Sequence, residues 1–163
     1  MAQAVFTNGN TLVTVDGATL GLTESPISIS INVHHLDVMM QTFGGSQGVP
    51  GEVQQMLADA TITMALVYFD ATVIDAALTK SIGGSNGVMP VAGQLMGLNS
   101  KFSVLNLSSP VGGKPWNFPS AYLTGTPLTF PIGNERSIAV MTWRAIPYRS
   151  DPSTAAGAIL YTN

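Results

Sequence analysis

The chain has 163 residues, with six Lys+Arg, nine Asp+Glu, a net charge of −3 and no cysteine. Charged residues make up 9% of it, against about 25% in an ordinary soluble domain. Disorder is excluded, because disordered chains combine low hydrophobicity with high charge and this one is 45% hydrophobic. A disulfide scaffold or thiolate metal site needs cysteine, and a nucleic-acid reader needs a basic stripe that six cations do not supply.

A positive mean hydropathy of +0.31 raises the question of a membrane. The uncharged stretches Ser81–Ser100 and Pro115–Asn134 are long enough to span one, but Gly, Pro, Asn and Ser interrupt both. No membrane insertion is expected. Met1–Gly9 lacks a basic segment followed by an apolar run, so it is not expected to act as a secretory signal. Ser, Thr, Asn and Gln number 45, three times the charged residues, so the polar surface is built from neutral hydrogen-bonding groups. Such economy of charge suits a surface covered by neighbouring subunits, since interface cores are depleted in Lys, Glu and Asp.

The elements read mainly as β. Thr11–Val15 alternates, Asp16-Gly17 is a tight-turn dipeptide and Leu20–Leu22 resumes the apolar pattern, which predicts a hairpin. Ile27, Ile29, Ile31 and Val33 alternate with Ser28, Ser30 and Asn32, a strand whose isoleucine face is expected in the core. From Leu36 to Asp59 the alternation fails and Gly44, Gly45, Gly48, Pro50 and Gly51 break the segment. It is read as a long inter-strand loop, with a short helical turn allowed at Val53–Leu57. Thr61–Tyr68 is a strand with two largely apolar or small faces, as in the middle of a sheet.

Asp70 is placed to cap a helix over about 71–80, where Val73, Ile74, Ala77 and Leu78 recur at helical spacing before Gly83-Gly84. Ser81–Ser100 reads as a glycine-rich connection, and Phe102, Val104 and Leu105 mark a further strand. Pro115–Pro119 is read as a loop carrying Trp116 and Phe118. Tyr122–Phe130 follows as an edge strand, then Ser137–Ile146 as a long strand and Ile159–Tyr161 as a short final one. One β domain over residues 1–163 results, a β-sandwich or barrel with one flanking α-helix.

Few residues suggest chemistry. Gly44–Gly48 and Gly83–Gly87 both fit G-x-S-x-G, but a hydrolase elbow needs a later His, and His34 and His35 precede both serines. Adjacent strand residues point to opposite faces, so His34 and His35 with Asp37 make a poor metal site. No phosphate loop and no carboxylate pair is present. The chain is not expected to be an enzyme, and no cofactor, metal or catalytic residue is assigned.

Three stretches carry a resemblance: Thr11–Glu24 with its Val-Asp-Gly hairpin, Ala60–Asp70 running straight into a capped helix, and Pro131–Ser137 followed by Thr142–Ala145 and Gly157–Tyr161. In order and spacing they resemble bacteriophage tail tube (major tail) proteins. The resemblance implies a structural virion subunit that forms six-membered rings. Those rings stack into a tail tube through which DNA passes non-specifically during genome ejection. It also implies synthesis in the host cytoplasm, contacts with other tail or neck proteins, and a long loop reaching the next ring. That loop would use Met39, Met40, Phe43, Val49, Val53, Met56 and Leu57, an apolar set too large to leave in water. A capsid decoration or neck protein is the alternative within the virion. A small carbohydrate- or ligand-binding β-domain using Trp116, Trp143 and Tyr122 is the alternative of another class.

Overall fold

A computed structural model describes residues 10–40, 49–82, 102–109, 113–124, 138–147 and 159–162. Among these residues, seven strands and one helix follow in the order β1 (Leu12–Val15), β2 (Ala18–Thr23), β3 (Ser28–Met40), β4 (Val49–Phe69), α1 (Ala71–Ile82), β5 (Ser103–Ser108), β6 (Trp116–Leu123) and β7 (Ala139–Ala145). The sheet runs β2-β1-β5-β6-β7-β4-β3, and β2 also pairs with β4. That last pairing closes β2, β1, β5, β6, β7 and β4 into a six-stranded antiparallel barrel. Its interior is filled by alternate side chains, among them Val13, Leu20, Ile62, Leu66, Leu105, Phe118, Met141 and Trp143.

The first hairpin forms across Asp16 and Gly17, both with positive φ (50° and 82°), as a two-residue turn matching strand twist requires. Asp16 then ties the turn to β5, accepting the Val104 N–H at 2.9 Å through its carboxylate and donating its own amide to the Val104 carbonyl at 2.9 Å. Closure depends on Gly21, which pairs with Phe69 on β4. A Cβ there would overlap the Tyr68 carbonyl oxygen, lying also 2.9 Å from its carbon and 3.0 Å from Phe69 Cα.

The helix starts as its cap predicts. Asp70 Oδ1 accepts the Thr72 N–H at 2.8 Å and the Val73 N–H at 3.4 Å, satisfying amides that the first turn leaves free. Ile74 and Ala77 turn into the core, Val73 packs against it, and Lys80 reaches back to Asp16 at 2.8 Å. The helix lies against β2, β5 and β6.

The structure differs from four expectations. Most of Leu36–Asp59 is strand rather than loop: β3 continues to Met40 and β4 begins at Val49, paired from Ser28↔Thr63 to Met40↔Val49, and residues 41–48 lie outside the described residues. Val53–Leu57 is accordingly strand, not a helical turn. Register shifts at His34/His35 and Val38/Met39 interrupt the alternation, which is why the strands do not show in the residue pattern. Pro115–Pro119 is not a loop either, since β6 starts at Trp116 and a register shift opposite Pro119 accommodates the missing N–H. In place of the closing Ile159–Tyr161 strand, Ile159 and Thr162 are bridge residues, Thr162 pairing with Asn117 through 2.8 Å hydrogen bonds in both directions. Most of the predicted Tyr122–Phe130 strand, the Ser81–Ser100 connection and both G-x-S-x-G segments lie outside the described residues.

Candidate assembly surface

β4 is 21 residues long, and only part of it belongs to the barrel. β7 pairs with it from Ala60 to Leu66 and β2 from Leu66 to Phe69. Beyond Asp59, its only ladder partner among the described residues is β3. The two strands therefore leave the barrel as a two-stranded ribbon, here called the arm. At about 3.3 Å per residue, the stretch from Val33 to Met40 gives it a reach of roughly 25 Å. The arm departs from the end where β7 finishes, while α1 follows Phe69 at the opposite end.

The side chains change character along β3. Ile27 and Ile29 pack against the core. Ile31 and Val33 carry the same face past the last barrel strand and stand 42% and 44% exposed. The isoleucine face expected to be buried is thus only half buried, because among the described residues no barrel strand pairs with β4 beyond Ala60. Leu36 and Val53 further out are 50% and 60% exposed. Of the seven residues predicted for an inter-ring contact, Met39 and Met40 fall on β3 and Val49, Val53, Met56 and Leu57 on β4. Phe43 lies outside the described residues.

At the base of the arm sits a polar cluster. Asp59, the last β4 residue before the β7 ladder begins, is 3% exposed although it is an acid. Its Oδ1 accepts the Asn32 Nδ2 hydrogen bond at 2.9 Å, and its Oδ2 accepts Arg144 Nε at 3.0 Å and a second, shorter bond from Arg144 Nη2. Arg144 Nη1 lies 3.5 Å from the Tyr122 hydroxyl. Residues from β3, β4, β7 and β6 meet around one carboxylate. The Asn32 and Arg144 hydrogen bonds hold the Asp59 carboxyl below its ordinary value, while the Asp59 hydrogen bond and the neighbouring Tyr122 raise the Arg144 guanidinium. At Asp16 burial pushes the other way, but the bonds from Lys80, Val104 and Ser103 prevail and the carboxyl is lowered.

Sequence reasoning did not single out the Asp59 cluster. Asn32 and Arg144 stand 27 and 85 positions from Asp59, and the alternation places each on a polar strand face without relating them. The register puts His34 opposite Leu57 and His35 opposite Gln55, and no group of three or more possible metal ligands gathers among the described residues. Trp143 is sealed in the core, which removes it from any ligand platform. Trp116 lies 4.6 Å from Tyr161 and 6.1 Å from Phe118, ring centre to ring centre, in an aromatic cluster formed by the residues flanking the Asn117–Thr162 bridge. Among the described residues no helix is long and apolar enough to cross a membrane.

The sequence matches no family model and no curated protein. The fold is similar to that of a chain in the virion of a native gene transfer agent particle, at 17% identity and a TM-score of 0.52, covering 98% of this chain and 100% of that one. A second likeness, to a chain in the C6-symmetric tail of an empty gene transfer agent particle, has 18% identity and a TM-score of 0.38 over 89% of this chain and 85% of that one.

Proposed function

We propose that this chain is a structural virion subunit of the phage-tail kind, forming rings of six that stack into a tail tube and line the channel for genome ejection. The observation that carries the reading is the arm. A barrel that already encloses its own core has no use for a long ribbon bearing Ile31, Val33, Leu36 and Val53 in water; a neighbouring subunit gives that apolar surface somewhere to go. The fold shared over nearly the full length of both chains with a virion component supports the same reading. So does the resemblance of Thr11–Glu24, Ala60–Asp70 and Pro131–Ser137 with Thr142–Ala145 and Gly157–Tyr161 to tail tube proteins.

Within that reading the arm makes the ring-to-ring contact, through Met39, Met40, Phe43, Val49, Val53, Met56 and Leu57. Unbranched methionines adapt to irregular partner surfaces, as a docking segment requires. The scarcity of Lys and Arg fits a channel for duplex DNA, because each phosphate paired with a cation would add to salt-dependent sticking. Electron micrographs of purified protein test the proposal. Hollow tubes or stacked rings support it, compact trimers point to a decoration or neck protein, and a dispersed monomer with glycan affinity overturns it.

A further inference from the structure

We infer that Asp59, clamped by Arg144 and Asn32, is the positioning residue that sets the direction in which the β3–β4 arm leaves the barrel. A two-stranded ribbon is marginal in water without a third strand or a packed face, and past Asp59 the described part of β4 has β3 as its only ladder partner. Backbone pairing between the two strands keeps them together but does not fix the angle of the pair to the barrel. Something at the junction must do so.

Asp59 is at that junction and nowhere else. Ala60 pairs with Ala145, the last residue of β7, and the next residue outward is the acid. Both of its carboxylate oxygens are engaged, one by the arm strand β3 through Asn32 and the other by the barrel strand β7 through Arg144. The guanidinium fork directs two N–H groups at a single oxygen, and its third nitrogen lies against Tyr122 on β6. A planar fork held at both ends resists bending in a way that one flexible contact does not. Burying an acid carries a desolvation cost, and an apolar residue at this position would avoid it while leaving the hinge unrestrained. The register shift at His34/His35 lies two residues further out and adds local twist beyond the clamp.

The geometry stands on the subunit alone, whereas its consequence for stacking rests on the tube reading. Both can be measured separately. The chain has no cysteine, so Val53→Cys and Val140→Cys introduce two labelling sites, one on the arm and one on the barrel wall, both exposed. Pulsed dipolar spectroscopy of spin labels at these sites, diluted into unlabelled protein, reads the angle of the arm as a distance distribution. The natural clamp should give one narrow peak. Arg144→Gln should broaden it about twofold or more, as expected of an unsupported two-stranded ribbon, while near-ultraviolet circular dichroism of the barrel stays unchanged. Asn32→Ala, which removes one bond and no charge, should broaden it less, and Arg144→Lys should fall between them. An unchanged distribution in Arg144→Gln overturns the inference whether or not tubes form. If Arg144→Gln does not fold, Arg144→Lys and Asn32→Ala decide on the same readout, and loss of folding in all three overturns it by assigning the cluster to barrel stability. Failure of the natural protein to make tubes would refute the proposed function and leave this measurement standing.

Discussion

Gly21→Ala tests where the barrel closes. The added methyl would occupy the position of the Tyr68 carbonyl oxygen and crowd Phe69 Cα at 3.0 Å. The obstacle is backbone, so no rotamer change relieves it, and β2 must move off β4. The seam consists of the pairings Gly21↔Phe69, Leu22↔Tyr68 and Thr23↔Leu66. Losing roughly two ladder hydrogen bonds there costs about 2 kcal/mol, and forced separation of packed groups adds about 1–3 kcal/mol. The expected loss of about 3–5 kcal/mol corresponds to a fall in melting midpoint of roughly 10 °C for a chain of this size. Urea unfolding of the dissociated subunit, followed by the fluorescence of buried Trp143, measures it. Gly17→Ala is the control: nothing lies within 4 Å of its Cβ position and φ is +82°. It should therefore lose only the left-handed conformational cost of about 1–2 kcal/mol, with Gly17→Asn recovering part of it. A Gly21→Ala subunit as stable as the natural one would refute closure through β2 and β4.

Other outcomes follow from the same structure. Asp70→Ala should destabilise the subunit by about 1 kcal/mol through the lost cap, and an unchanged midpoint would remove the helix start assigned here. Asp59 has its carboxyl lowered by Asn32 and Arg144, so its ionised form stabilises the fold fully above the unfolded value of about 3.9, and that contribution is lost as pH falls through the lower folded value. Acid titration of stability should show this in the natural protein, whereas Asp59→Asn should lack that component and be less stable at pH 7. The deficit should be about 1–3 kcal/mol, between the surface and buried limits, because Asp59 is enclosed while the Arg144 side chain stays 43% exposed. Equal acid sensitivity in both proteins would count against it. Shortening the chain across Gly44–Gly51 should leave the barrel folded and abolish long tubes; tubes of normal length, or loss of folding, would take the inter-ring role away from the arm.

Local chemistry determined much of this fold. Asp16-Gly17 between two apolar runs specifies a turn because both positions need positive φ, and Asp70 specifies a helix start because its carboxylate completes the first turn's amides. The period-two pattern of Ser137–Ile146 marks a strand because a barrel wall has one face in its core, and that of Ile27–Val33 marks β3, whose Ile27 and Ile29 pack against that core while Ile31 and Val33 run past it half exposed. Where a strand has no core to face, that signal vanishes. Leu36–Asp59 reads as a loop because two register shifts break the alternation of β3 and β4 there, and past Asp59 the described part of β4 pairs with β3 alone. Pro119 hides β6 for a related reason, its missing N–H being absorbed by an irregularity in a ladder whose partner is not legible in advance. Closure at Gly21, the departure of the arm at Asp59 and the meeting of Asn32, Asp59, Arg144 and Tyr122 depend on contacts between segments far apart in the chain. Only the tertiary structure decides these, because each arises from which strands become neighbours, whereas turn, cap and alternation arise from residues that are already neighbours in the sequence.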